Sequence, residues 1–199
     1  MAAKSSTRRK AASPAWVVLK FGGTSVSSVE RWETIATLLR QRLAEGLRPV
    51  VVHSALATVS NKLDELLHRA LEMDVTAQVA GIRELHLRLA AGLQVDGEKE
   101  LGGYFRELEQ LLAGIHLIRE VSPRIQARVM GLGELMATRL GAAYLARVGL
   151  KVTWLDAREL LRSNMPPGTN ERSAWLAANC DFDPDAELQA RFAAEPGVV

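Results

Sequence analysis

Two short apolar runs, AWVVL at 15–19 and PVVVH at 49–53, are separated by room for a single helix and two turns. That spacing constrains the fold more than any other feature of the chain. Continuous runs of β-branched and aromatic residues read as strands buried on both faces. Between them Trp32, Ile35, Ala36, Leu39 and Leu43 fall on one helical stripe. Gly46 follows that stripe as a stop. The stretch Ser27-Ser28-Val29-Glu30 has the form of a capping box, with Ser27 as the cap and Glu30 three residues on. Strand, loop, helix, strand is a βαβ unit, which requires parallel pairing and a right-handed crossover. The fold class that follows is α/β with a mainly parallel sheet.

The rest of the chain is mostly helical. From Asn61 to about Gly114 no strand signal interrupts the helical pattern, so a helical insertion follows the second strand. Ser122-Pro123 opens another helix, serine as cap and proline at its first position, running to about Arg147. KVTWL (151–155) reads as a third strand, and Asp156 caps the turn after it. SNMPPGTNER (163–172) reads as a loop, residues 185–194 as a last helix, and Gly197-Val198-Val199 as a strand just starting. Three complete strands are few for such a sheet, so residues 15–199 are expected to be an incomplete lobe of a larger domain. Residues 1–14, MAAKSSTRRKAASP, are basic, Ser-rich and free of acid, a composition shared by transit peptides and short disordered extensions, and are expected to form a disordered tail.

Composition removes several classes of function. Hydrophobic residues make up 48% and charged residues 24%, ordinary for a globular protein. A formal net charge of +2 is too small to make nucleic acid the main partner. No apolar run approaches the roughly 18–20 residues a membrane span needs, so no membrane partner is expected. The single cysteine, Cys180, excludes an intrachain disulfide framework and suits a reducing compartment, the cytoplasm. His53, His68, His86 and His116 show no metal-ligand spacing, and a metal held by the protein alone is not expected.

KFGGTSV (20–26) carries the most chemistry. Backbone N–H groups at a glycine-rich turn before a helix make an anion site, and Lys20 can add its charge to the same phosphate. Gly22 and Gly23 would let the backbone approach that ligand. The competing reading is a tight turn with Lys20 in water. The Walker pattern is absent. Gly131-Leu132-Gly133 begins like a dinucleotide fingerprint, but Met136 stands at the third glycine position inside a helical pattern. Two glycines in a helix cost about 1 kcal/mol each, so something wants small residues beside Glu134: an approaching substrate, or close helix packing with Glu134 in solvent. The loop after the second strand offers the hydroxyls of Ser54, Thr58 and Ser60 for a carboxylate or phosphate, while Ser60 also suits the cap of a helix starting at Asn61.

These motifs resemble the amino-terminal part of aspartate kinases, members of the amino acid kinase superfamily. KFGGTSV resembles their opening signature, VVVHSALATVSN (50–61) their second-strand segment, GELMATRL (133–140) their G-E-x-x-S helix, and KVTWLDARELLRSN (151–164) the segment after it. The resemblance runs from about Trp16 to Val199 and implies a three-layer amino acid kinase-like fold, truncated, with the ATP-binding half and regulatory ACT domains outside this chain. It implies phosphoryl transfer from ATP, with Mg2+ held mainly by the nucleotide, to the β-carboxylate of L-aspartate, giving 4-phospho-L-aspartate. That is the first step of lysine, threonine and methionine biosynthesis.

Residue by residue, the resemblance gives Lys20 the charge on the transferred phosphoryl group, and Gly22 and Gly23 the ATP phosphates. It gives Ser54 and Ser60 substrate contacts, and Glu134 the α-ammonium of aspartate. A homo-oligomer is implied for the full-length protein, and some relatives are fused to a homoserine dehydrogenase or a diaminopimelate decarboxylase. Leu56 and Thr58 depart from the family pattern, where a small or polar residue and a glycine are common. The alternatives are a glutamate- or carbamate-type amino acid kinase, and a non-catalytic interaction or regulatory domain on a degenerate lobe. On this reading the 199-residue chain alone is inactive.

Overall fold

The structure, a computed structural model, describes residues 15–180 and 183–199. The segment 1–14, expected to be a tail, lies outside the described residues. Strand β1 (Trp16–Phe21) pairs in parallel with β2 (Arg48–His53), from Trp16 opposite Arg48 to Phe21 opposite His53. Helix α1 (Val29–Ala44) makes the crossover, so the βαβ unit is present as its spacing predicts.

Leu19, Phe21 and Val51 turn toward the core, whereas Val18, 66% exposed, and Val52 face outward. The expectation that β1 is buried on both faces therefore fails. α1 covers one face together with α5 (Pro123–Arg147), but over the opposite face α8 (Ala186–Ala194) reaches only the strand beginnings. There Phe192 meets Trp16 at 5.9 Å between ring centroids. The Arg48 guanidinium stacks 4.0 Å above Trp16 and donates to the carbonyls of Phe192 and Glu195 at the end of α8. An apolar run reports what a strand can bury, not which layer covers it.

Helices α2 (Val59–Ala70), α3 (Thr76–Gly92) and α4 (Gly97–Ile118) form the helical insertion and pack with α5 around Leu63, Ile82, Leu101, Phe105, Leu132 and Met136, all fully buried. α5 starts as its sequence predicts: Ser122 accepts from the Ile125 amide and Pro123 occupies the first turn. Two other starts differ. Ser28, not Ser27, precedes α1, because Gly23–Val26 forms a 3-10 turn whose end occupies Ser27. α2 begins at Val59 after Thr58, so Ser60 lies in its first turn and is not a cap.

Residues 151–155 form no regular strand. Val152 makes one parallel bridge to Val198, with the Thr153 amide donating to Val198 O and the Val198 amide to Lys151 O. Val199 in turn bonds Pro49 O and the Val51 amide, so residues 198–199 lie between β2 and the 151–153 segment. The stretch 163–172, expected as a loop, contains β3 (Ser163–Asn164) and the start of α7 (Glu171–Leu176). β3 pairs antiparallel with β4 (Asn179–Cys180), where Cys180 is exposed. α6 (Ala157–Leu160) is a single turn capped by Asp156.

Trp32 ties α1 to the sheet and to α5. Its indole N–H donates to Val26 O at 2.9 Å, and its ring meets His53 and Tyr144 edge-on. A Cβ on Gly141 of α5 would collide with that indole. Gly141→Ala is therefore expected to lower stability by about 1–3 kcal/mol through overpacking, read from urea unfolding.

His86 is fully buried against Phe105; its Nδ1 bonds Ile82 O at 2.8 Å and its Nε2 has no partner. Burial holds its pKa below the ordinary histidine value. The folded chain thus binds fewer protons than the unfolded one as pH falls below the unfolded value. His86 stability is complete above that value and is lost on acidification. The loss of urea stability from about pH 7.5 to about pH 5.5 should be smaller in His86→Leu than in wild type; equal losses would contradict this assignment.

Candidate functional site

Parallel pairing brings the loops that follow β1 and β2 to the same edge of the sheet. Phe21 O accepts from the Ser54 amide at 3.1 Å, joining the two loop beginnings. Lys20, opposite Val52, is exposed and has no ion-pair partner among the described residues. After it the chain passes through Gly22, extended at φ −79° and ψ 167°, into the 3-10 turn. The amides of Gly23 and Thr24 donate no backbone hydrogen bond among the described residues, as is usual for the first N–H groups of a helical turn.

Neither glycine is needed for a left-handed backbone. A Cβ on Gly23 would sit 2.6 Å from Ala55 O, so this glycine permits contact between the two loops, while Gly22 has open space where a side chain would be. Of the pair, Gly22 is thus the one left open to an incoming group.

The second loop is held tightly. Ser27 Oγ donates to Gly23 O at 2.6 Å and accepts from the Ala57 amide at 2.8 Å. On the other flank the Ala55 amide reaches Glu134 Oε1 at 3.4 Å. Glu134 projects from α5, is exposed, and has no ion-pair partner among the described residues. Its neighbouring glycines have separate reasons. A Cβ on Gly133 would press on Ala55 and Leu63 at 3.1 Å, so Gly133 serves packing. Gly131 has nothing within 4 Å and lines a cavity. Ser54 and Ser60 are both half-buried, and Ser60 is the second residue of α2, with no hydrogen bond from its hydroxyl among the described residues.

The cavity, of about 410 Å³, opens between β2, residues 198–199, the 152–158 segment and α5. Glu134 stands on its wall; Lys20, Ser54 and Ser60 do not line it. The structure thus gathers Lys20, Gly22, Gly23 and Ser54 at the strand ends and links them to Glu134 through Ala55, and Glu134 also lines the cavity. One turn along from Glu134, Thr138 accepts from the Trp154 indole at 3.1 Å. Beside them Asp156 forms a forked pair with Arg158, whose hydrogen bonds hold the Asp156 carboxyl below its usual range despite partial burial. Burial likewise lowers the pKa of His53, which also faces the cavity.

Ser27 and Thr138 are site-edge residues that the sequence reading did not assign. Ser27 was hidden by its match to a cap, and Thr138 lies within the GELMATRL segment without a signal of its own. Among the described residues no group of three or more His, Cys, Asp or Glu could hold a metal ion, and no helix is long and apolar enough to cross a membrane.

Comparison with known proteins bears on this geometry. Aspartokinase 2, chloroplastic, of Arabidopsis thaliana is 40% identical over 151 residues, covering 72% of this chain and 27% of the relative. Bifunctional aspartokinase/homoserine dehydrogenase 1, chloroplastic, of the same plant is 32% identical over 154 residues, covering 73% of this chain and 17% of the relative. The chain therefore spans about a quarter or less of the curated relatives it matches. Among solved structures, E. coli aspartokinase III in complex with aspartate and ADP superposes with a TM-score of 0.67 at 25% identity, over 90% of this chain and 37% of that one. The aspartokinase-like α/β architecture of this chain is thus shared with part of an experimental structure. The sequence pattern of the amino acid kinase family matches residues 15–180, and the chain belongs to that family.

Proposed function

We propose that this chain is the amino-terminal lobe of an aspartate kinase, residues 15–199 contributing the acceptor pocket and the phosphate lysine. The observation that carries the reading is a cation and an anion at one sheet edge: Lys20 near the end of β1, opposite Val52, and Glu134, whose carboxylate accepts from the Ala55 amide in the loop that follows β2. The names of the relatives support the substrate: several are aspartokinases, and one neighbour was solved with aspartate and ADP.

The reaction joins two anions, the β-carboxylate of L-aspartate and the polyphosphate of ATP. A carboxylate oxygen attacks the γ-phosphorus, the bond to the β–γ bridging oxygen breaks, and its electrons leave on ADP. No proton transfer and no covalent enzyme intermediate are required. Lys20 offsets charge on the phosphoryl group in flight, and the open backbone at Gly22 and Gly23 meets the phosphate oxygens. Glu134 takes the α-ammonium of aspartate, and Ser54 and Ser60 bond its carboxylates. Mg2+, which neutralises phosphate charge, would come with the nucleotide. The chain spans about a quarter or less of these relatives, and on this reading the 199-residue chain alone turns over poorly. The full-length enzyme is taken to be a cytoplasmic homo-oligomer; the single cysteine of this chain, Cys180, suits a reducing compartment.

The test is aspartate- and ATP-dependent hydroxamate formation by the polypeptide extended through its downstream coding sequence. Lys20→Ala should cost on the order of a hundredfold or more in kcat. Full activity in Lys20→Ala would remove its catalytic role, and no activity in the extended wild type would favour a degenerate lobe.

A further inference from the structure

Thr58 stands at φ +70° and ψ −14°, a left-handed conformation that a β-branched residue adopts only when its surroundings enforce it. It directly precedes α2 and lies between Ala57, held by Ser27, and Ser60. The loop turn around it is closed by the Val59 amide on Leu56 O at 3.0 Å. The constraint comes from the neighbouring loop. Ser27 uses both capacities of its hydroxyl, donating to Gly23 O and accepting from the Ala57 amide, and Gly23 leaves room for Ala55 O to lie against it. The far flank is weaker, since the Ala55–Glu134 hydrogen bond is long at 3.4 Å.

We infer that Ser27 is a positioning residue: its hydroxyl clamps the glycine loop to the 54–58 loop and holds Thr58 in its strained conformation. Beyond the β1–β2 register and the Ser54–Phe21 hydrogen bond, which set the loop beginnings, the spacing between the phosphate side of the site (Lys20, Gly22, Gly23) and the acceptor side (Ser54, Ser60, Glu134) is then held by the Ser27 side chain. This rests on the kinase reading for its consequence in catalysis, but not for the clamp itself. Without the hydroxyl, Thr58 can relax, the 54–58 loop shifts, and the acceptor side moves while the glycine loop stays on β1.

Two readouts keep the clamp and the kinase reading apart. Amide hydrogen exchange on this chain reads the clamp: exchange of the Val59 amide should quicken about tenfold or more in Ser27→Ala, and Ser27→Thr, which keeps the hydroxyl, should restore it. In a Thr58→Gly background, where left-handed backbone carries no penalty, Ser27→Ala should change Val59 exchange little. In the extended polypeptide, Ser27→Ala should raise KM for aspartate about tenfold and leave KM for ATP within about twofold. Unchanged Val59 exchange in Ser27→Ala, or an equal effect in the Thr58→Gly background, overturns the clamp. Absence of activity in every form, wild type included, would count against the kinase reading alone, because the exchange result decides the clamp independently.

Discussion

The parallel register of β1 and β2 is the constraint on which the rest of the structure depends. Setting Phe21 opposite His53 puts the ends of both strands level, and the two loops that leave them are then forced into contact. A parallel pair cannot be joined by a tight turn, so α1 must cross over and pack on the sheet. Trp32 holds it there, wedged between His53 and Tyr144 over the bare backbone of Gly141. The strand pair carries the glycine loop; the helical layer carries Glu134. The site exists because one contact surface, from Trp32 to α5, fixes these two layers against each other.

Charge placement follows from that frame. Arginines and glutamates on this chain often pair, as in the Arg83–Glu98 and Arg139–Glu100 pairs that lace α3, α4 and α5, whereas no lysine makes an ion pair among the described residues. Such exposed pairs add little stability each, so it is the placement of Lys20 and Glu134, not their lack of an ion pair, that bears on the site. Each keeps its charge available where two loops meet, and the backbone between them is held by hydrogen bonds instead of by a competing side-chain charge.

Much of this was legible in the sequence, and the failures have physical causes. The βαβ unit, the helical insertion and the cap of α5 follow from periodicity and from Ser122-Pro123, signals that are local. The covering of β1 is not local: Val18 is exposed because α8 reaches only as far as Trp16 and Arg48. Segments 151–155 and 163–164 make so few ladder bonds that no run length could separate them from loop. Serines misled in a consistent way. Ser27 and Ser60 fit capping patterns, but tertiary contact gives Ser27 to Gly23 and Ala57 and puts Ser60 inside a helix that starts at a left-handed threonine. The glycines divide likewise: Gly23 and Gly133 answer to packing, Gly22 and Gly131 to open space, a distinction no one-dimensional pattern carries.

The central claim is that Glu134, positioned against the Ala55 amide, recognises the ammonium of an acidic amino acid. It is tested most directly by following the backbone amides of this chain by NMR while titrating L-aspartate or succinate, its analogue without the ammonium. The account predicts that aspartate shifts the Ala55, Ala57 and Glu134 amides, and that succinate at the same concentration leaves Glu134 unmoved. Equal shifts from both ligands, or aspartate shifts confined to other parts of the chain, would contradict it.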